Sequence, residues 1–284
     1  KFDVQLPFGK YYVQEIGTDE HYVLNGEKYL VTFEYQGQDI QTVSIDCGTF
    51  ENRLKRGKIE GIKTNESGDP LENALFGLFA MDCTEFTEEN ALMTAKSDDK
   101  GCFSFADIPF GEYVIRELSA PDGYILSEES YPVTISENDE IIRIEIENKP
   151  VTVEISKRDA DGNELKGAQM QLLDDKGTVV DEWTSDGTNH IVAKLSAGKY
   201  ILKETAAPEG YTLATDICFE VLNDGTVTVD GAETTAVSEN GNPLIVMIDE
   251  AEQKEIPQDT PHTGDSRSNT AAWLMIAGGL LSLC

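Results

Sequence analysis

One stretch occurs three times in the chain and dictates most of what it can fold into. It reads GKYYVQEIGTDEHY from Gly9, GEYVIRELSAPDGY from Gly111 and GKYILKETAAPEGY from Gly198. Alternate positions in each copy carry an aromatic, an aliphatic residue and a glutamate: Tyr11, Val13 and Glu15; Tyr113, Ile115 and Glu117; Tyr200, Leu202 and Glu204. A tyrosine follows seven residues after each glutamate, at Tyr22, Tyr124 and Tyr211. Such alternation belongs to a strand, and equal parity on a strand means a shared face. A carboxylic acid is therefore aligned with core-facing apolar side chains three times over.

The copies recur at roughly 90 to 100 residues, above the ~20–50 of solenoid repeats, so each marks a domain of its own. Residues 1–56 read as the C-terminal part of a truncated domain in a piece of a longer chain. Alternating runs lie at Val23 to Leu30 and Thr32 to Tyr35, and the run QTVSIDCGTFEN ends at Asn52 with a bulge expected at Gly48. Residues 57–149 make a full unit. Ile59, Gly61 and Lys63 share a face of its first run; Ile142, Ile144, Ile146 and Asn148 share a face of its last. Residues 150–252 repeat the order, from Val151, Val153, Ile155 and Lys157 to NPLIVMIDE, where Asp249 lies. Short strands, frequent turns and no helical periodicity before the C-terminus predict an all-β chain of tandem Ig-like β-sandwiches. Residues 253–270 have the composition of a polar linker. Residues 271–284 are apolar and predict a C-terminal helix, a membrane segment cut short of the ~20 residues a span needs.

The formal net charge of −31 repels phosphate backbones and anionic lipid heads, which argues against nucleic-acid binding and peripheral membrane attachment and suits a solvated extracellular surface. Cys47, Cys83, Cys102, Cys218 and Cys284, like His21, His190 and His262, lack metal-ligand or catalytic spacing, so no metal or cofactor is expected. Small buried apolar cysteines are favoured over a Cys83–Cys102 bridge. Asp159, Asp161 and Asn163 match the start of a calcium loop, but Glu164 and Met170 stand where that loop needs Gly and Glu, so a turn is expected.

The chemistry lies in three inward positions per unit: Lys63, Glu117 and Asn148 in the middle unit, Lys157, Glu204 and Asp249 in the third. Glu15 and Asn52 are the counterparts in the truncated one, whose lysine would precede residue 1. Buried charges must pair or neutralise. Two outcomes are open: an ordinary buried ion pair, or a neutral lysine that displaces ammonia or water from the Asn or Asp while the glutamate shuttles protons.

The pattern KRDADGNELKGA from Lys157, with GKYILKETAAPEGY from Gly198, resembles the collagen-adhesin B-type (Cna B) repeat of Gram-positive surface proteins and SpaA-type pilins. The middle copy departs from it at Leu118, and the first at Asp19 and His21. The resemblance implies intramolecular isopeptide bonds Lys63–Asn148 and Lys157–Asp249, promoted by Glu117 and Glu204, with Glu15 and Asn52 as a third, partial set. TPHTGD from Thr260 resembles an LPXTG-type sorting motif, with Thr260 in place of Leu and with Pro261, Thr263 and Gly264 retained. It implies sortase as a partner, cleavage after Thr263, and transfer to a peptidoglycan or pilin amine, the membrane segment holding the chain beforehand.

The expectation is a cell-wall-anchored surface protein of a Gram-positive bacterium, a pilin subunit or adhesin stalk, and not an enzyme with turnover. Two alternatives are the wall-attachment stalk of a larger secreted enzyme and a carbohydrate- or matrix-binding module, whose ligand the sequence does not name.

Overall fold

The computed structural model describes residues 5–234 and 236–253. The expected apolar helix and the sorting motif at Thr260, Pro261, Thr263 and Gly264 lie outside the described residues. Among the described residues every regular element is a strand. The chain divides into two compact units, the first running to Lys149 and the second from Pro150, except that Asp122–Tyr124 belong to the second. Residues 5–56 fall in the first unit.

Within residues 5–56, β1 (Gly9–Gln14) pairs antiparallel with β3 (Lys28–Phe33), and β2 (Tyr22–Val23) with β4 (Arg53–Leu54). The run expected to end at Asn52 is not a strand: residues 40–52 form no ladder, and Gly48 sits in a left-handed conformation at φ 77°. The two complete units supply the physical reason. Their last strand is an edge strand that pairs only with the first strand, and residues 5–56 contain no first strand.

The middle sandwich comprises β5 (Arg56–Asn65), β6 (Leu75–Ala80), β7 (Met93–Lys96), β8 (Cys102–Pro109), β9 (Gly111–Ser119), β10 (Ser130–Ile135) and β11 (Glu140–Asn148). They form a three-stranded sheet β11-β5-β8 and a four-stranded sheet β10-β9-β6-β7. Ile59, Phe103, Phe105 and Ile146 of the first sheet pack on Phe76, Leu78, Ile115 and Ile135 of the second. Gly61, unexpected inside a strand, has a packing reason: a Cβ there would lie 2.1 Å from the Phe103 ring, which stacks on Phe76 at 3.9 Å.

The third sandwich comprises β12 (Thr152–Asp159), β13 (Lys166–Asp174), β14 (Val179–Asp186), β15 (His190–Ala193), β16 (Gly198–Ala206), β17 (Ile217–Val221), β18 (Val227–Val229), β19 (Ala232–Glu233) and β20 (Leu244–Asp249). Sheet β15-β12-β20 faces sheet β14-β13-β16-β17-β18-β19. Val153, Ile155 and Met247 of the first, with Met170, Leu172, Leu202 and Phe219 of the second, are buried.

The thrice-repeated stretch becomes β1, β9 and β16. Its tyrosine is more than an apolar filler, because the hydroxyl donates to the carbonyl four residues back each time: Tyr11 to Pro7 at 2.8 Å, Tyr113 to Pro109 at 3.0 Å and Tyr200 to Ser196 at 2.7 Å. The expectation of buried cysteines fails at three positions: Cys47 and Cys83 are half-buried, Cys102 is exposed, and all three are free thiols. Cys102 falls on the outward parity of β8, between inward-facing Phe103 and Phe105 and the turn, so the fold leaves it no interior place.

Candidate functional site

In the middle sandwich Lys63, Glu117 and Asn148 meet in the core with 0%, 4% and 2% of their surface exposed. Lys63 Nζ donates to Asn148 Oδ1 at 2.5 Å and lies 3.7 Å from Glu117 Oε1. Asn148 Nδ2 in turn donates to both Glu117 oxygens, at 2.9 and 3.0 Å. Burial pushes the Lys63 ammonium down to about 8 against the pull of Glu117. It also raises the Glu117 carboxyl, against the pull of Lys63 and the hydrogen bonds from Ser127 and Asn148. Each group is thus moved toward its neutral form, the direction desolvation dictates.

Strand register assembles the trio. β11 runs parallel to β5 with Lys63 opposite Ile146, which puts Asn148 two residues further along on the same face. β20 runs parallel to β12 with Lys157 opposite Met247, and Asp249 again lies two residues on. The backbone of Lys63 is fixed from both sides: its N–H donates to Gly101 O at 2.7 Å, and its carbonyl accepts Leu71 N–H at 2.9 Å. Gly101 (φ 73°) is required for that approach, since a Cβ would stand 2.3 Å from the Lys63 carbonyl oxygen.

The third sandwich repeats the arrangement with one chemical change. Lys157 Nζ bonds Asp249 Oδ1 and lies 3.4 Å from Glu204 Oε1, all three residues being buried. An aspartate has no amide hydrogens to give the glutamate, and Glu204 Oε1 and Asp249 Oδ2 are both buried without a hydrogen-bond partner. Burial raises the Glu204 carboxyl; the Ala214 N–H and Lys157 oppose this, and Asp249 reinforces it. The site thus sets two carboxyl groups against the single Lys157 amine.

Residues 5–56 hold the partial set. Asn52 Nδ2 donates to Glu15 Oε1 at 2.8 Å, while Asn52 Oδ1, the counterpart of the atom Lys63 reaches in Asn148, is buried without a partner.

Two positioning devices escape sequence reading because they use backbone. The amide ten residues after each glutamate clamps its second oxygen: Asn25 N to Glu15 at 2.9 Å, Ser127 N to Glu117 at 2.9 Å and Ala214 N to Glu204 at 2.8 Å. The repeated tyrosine bridges the chain two residues past each acceptor: Tyr22 to Leu54, Tyr124 to Pro150 and Tyr211 to Ala251. The equal spacings were visible in the sequence; the backbone donors they deliver were not. At the rejected calcium match, Asp159 Oδ1 accepts the N–H groups of Asp161 and Asn163 at 3.0 and 2.8 Å, the geometry of a turn.

A primary amine held against a carboxamide or carboxyl beside a protonated acid can remain an ion-paired cluster or condense to an amide. Burial favours the neutral product, because it removes the charges from the core.

Residues 57–150 and 151–235, together more than half of the chain, match the SpaA prealbumin-like fold domain. No curated protein matches the sequence. Among solved structures, the Bacillus anthracis TIE protein superposes with a TM-score of 0.55 at 27% identity, over 87% of this chain and 43% of that one. The chain therefore spans less than half the length of that protein. A streptococcal ancillary pilin gives a TM-score of 0.32 at 18% identity, over 88% of this chain and 77% of the pilin. The C-terminal fragment of the pilus adhesin SpaC from Lactobacillus rhamnosus GG gives 0.41 at 20% identity, over 70% of this chain and 99% of the fragment.

Proposed function

This chain belongs to the family of SpaA prealbumin-like fold domains, and from that premise we propose that it is a load-bearing part of a bacterial surface protein, a pilin subunit or adhesin stalk. Its middle and third sandwiches each close one isopeptide bond. The reading is carried by the fully buried contact of Lys63 Nζ with Asn148 Oδ1, with Glu117 against both residues. A core that buries Lys63 and Glu117 this deeply gains little from their ion pair, since the desolvation penalty offsets the attraction. Condensation removes that penalty.

The reaction balances within the site. Lys63 in its neutral form attacks the Asn148 carboxamide carbon; the new N–C bond forms, the C–N bond to Nδ2 breaks, and ammonia leaves. Protonated Glu117 gives a proton to the departing nitrogen or the carbonyl oxygen and recovers one from Nζ. With Asp249 the same steps release water, and Glu204 serves as the acid. Each group reacts once, on its own chain, so no turnover is expected.

A bond between the first and last strands suits a mechanical role. Tension entering at β5 leaves through β11, and the 85-residue sequence separation between Lys63 and Asn148 is bypassed. For attachment, Thr260, Pro261, Thr263 and Gly264 would be read by a sortase that cuts after Thr263 and passes it to a wall or pilin amine, placing the chain on the cell surface. A sortase and an amine should yield a product ending at Thr263; failure to cleave with any sortase class sinks that part of the proposal.

The bonds are tested by intact mass of the full chain under denaturing conditions. One ammonia and one water should be missing relative to the sequence. An unmodified mass leaves the ion-paired cluster as the correct reading.

A further inference from the structure

We propose that Glu154, which takes no part in the chemistry, is the positioning residue that sets β20 in register against β12 and so delivers Asp249 to Lys157; this rests on the cross-link proposed above. Glu154 is 2% exposed, on the same strand as Lys157 and three residues before it. Its partners are neutral, and those of one oxygen come from one turn: Oε1 accepts Ser238 Oγ at 2.7 Å, Asn240 Nδ2 at 2.9 Å and Asn242 Nδ2 at 3.0 Å. Asn189 Nδ2 donates to Oε2 at 2.9 Å, and the Glu154 N–H donates to Pro243 O at 2.9 Å. The turn closes on itself through Ser238 N to Asn242 O at 2.9 Å and Gly241 N to Ser238 O at 3.0 Å. It then leads directly into β20, whose first pair is Leu244 with Glu154.

The middle sandwich is an internal control. Glu60 occupies the same place, three residues before Lys63, yet it makes surface ion pairs with Lys58 at 2.8 Å and Arg143 at 3.4 Å. There β11 is 9 residues long and enters register at Glu140 opposite Gly57, before Glu60 is reached. β20 has only 6 residues, and its ladder with β12 begins at Glu154 itself. The third sandwich lacks the earlier backbone pairs and has a buried carboxylate clamp at that point instead. A slip of two residues would keep every side chain on its face yet carry Asp249 about 6–7 Å from Lys157, out of bonding reach. Asn240, Asn242 and Ser238 converging on one oxygen forbid that slip.

The test uses the full chain, intact mass sampled from the first hours after expression, and peptide mapping of the Lys157–Asp249 and Lys63–Asn148 links. Glu154→Gln places an amide among amide donors; more than half of the molecules are expected to retain the water of the third sandwich while the middle one still loses ammonia. Glu154→Gln with Asn189→Asp reverses donor and acceptor at Oε2 and should restore the loss of water. Glu60→Gln should leave the middle link complete. Melting of Glu154→Gln in an Asp249→Ala background reads folding apart from bond formation and should remain cooperative. Full loss of water in Glu154→Gln at the earliest sample overturns the proposal. So does failure of the swap to rescue, because a merely weakened sandwich would behave that way. A wild-type chain that retains its water refutes the cross-link itself, a different result from either.

Discussion

Lys63 Nζ and Asn148 Oδ1 lie 2.5 Å apart in the core although 85 positions separate them in the chain. The contact arises from two ordinary features of strand geometry. A parallel register sets Lys63 opposite Ile146, and the two-residue period of a strand returns Asn148 to the same face. Glu117 then approaches from the opposing sheet on β9, the middle copy of the repeated stretch. The third sandwich reproduces the same offset with Lys157, Met247 and Asp249. What differs is the acceptor, a carboxyl at Asp249 where the middle sandwich has the Asn148 carboxamide.

The role assigned to the glutamates is open to a direct check. Glu204→Ala should restore the mass of one water and leave the missing ammonia of the middle sandwich untouched; Glu117→Ala should restore the ammonia alone. Closing a loop of this length stabilises by about 4–5 kcal/mol in the chain-entropy account. Each variant should therefore lower the melting temperature of its own sandwich by roughly 20 °C. An unchanged mass in either variant removes its glutamate from the mechanism.

Gly61 gives a prediction about packing rather than chemistry. Gly61→Ala places a methyl 2.1 Å from the Phe103 ring, so the ring must leave its stack on Phe76, at a cost of about 1–3 kcal/mol. Phe103→Leu should make room for that methyl, so the double variant should be less destabilised than the two single changes added together. Strict additivity in denaturant unfolding would show that the close approach is not what requires glycine here.

The parity of Lys63, Glu117 and Asn148, and of Lys157, Glu204 and Asp249, was legible because a strand reports its faces directly in sequence. The two matched domains, residues 57–150 and 151–235, each hold one copy of the repeated stretch. The run before Asn52 was misread as a strand, since its composition is strand-like and only the partner strand decides whether a ladder forms. Glu154 was invisible for a related reason: Ser238, Asn240 and Asn242 look like any polar turn until the fold brings them to one buried oxygen. Cys102 was misjudged because residue type outweighed its outward parity on β8, next to inward-facing Phe103.

Glu154 also makes acid stability testable. Burial acts to raise its pKa, but the hydrogen bonds from Asn189, Asn240, Asn242 and Ser238 outweigh that and hold it at about 2. The unfolded value is ~4.3, so the folded pKa is the lower one. The contribution to stability is fully present above ~4.3 and is lost as the pH falls through about 2. In urea unfolding at a series of pH values, the third sandwich should lose more stability across this window in the wild type than in Glu154→Gln. Parallel curves would mean that the carboxylate is not held by these partners.

The mechanical reading predicts a length. In a single-molecule pull on the full chain, force on the middle sandwich enters near Arg56, crosses from Lys63 to Asn148 through the covalent bond and leaves toward Pro150. The residues between them, an 85-residue separation, stay slack. An unlinked sandwich would release that segment when it yields, roughly 300 Å at ~3.3–3.6 Å per residue. The wild type should therefore show no unfolding step of this size from the middle sandwich at forces that unravel Asn148→Ala. In that variant the step should appear, and in Glu117→Ala it should appear in the fraction of molecules whose mass retains the ammonia. A wild-type trace carrying the full step would mean that the first and last strands are held by hydrogen bonds alone, and the load-bearing proposal would fall with it.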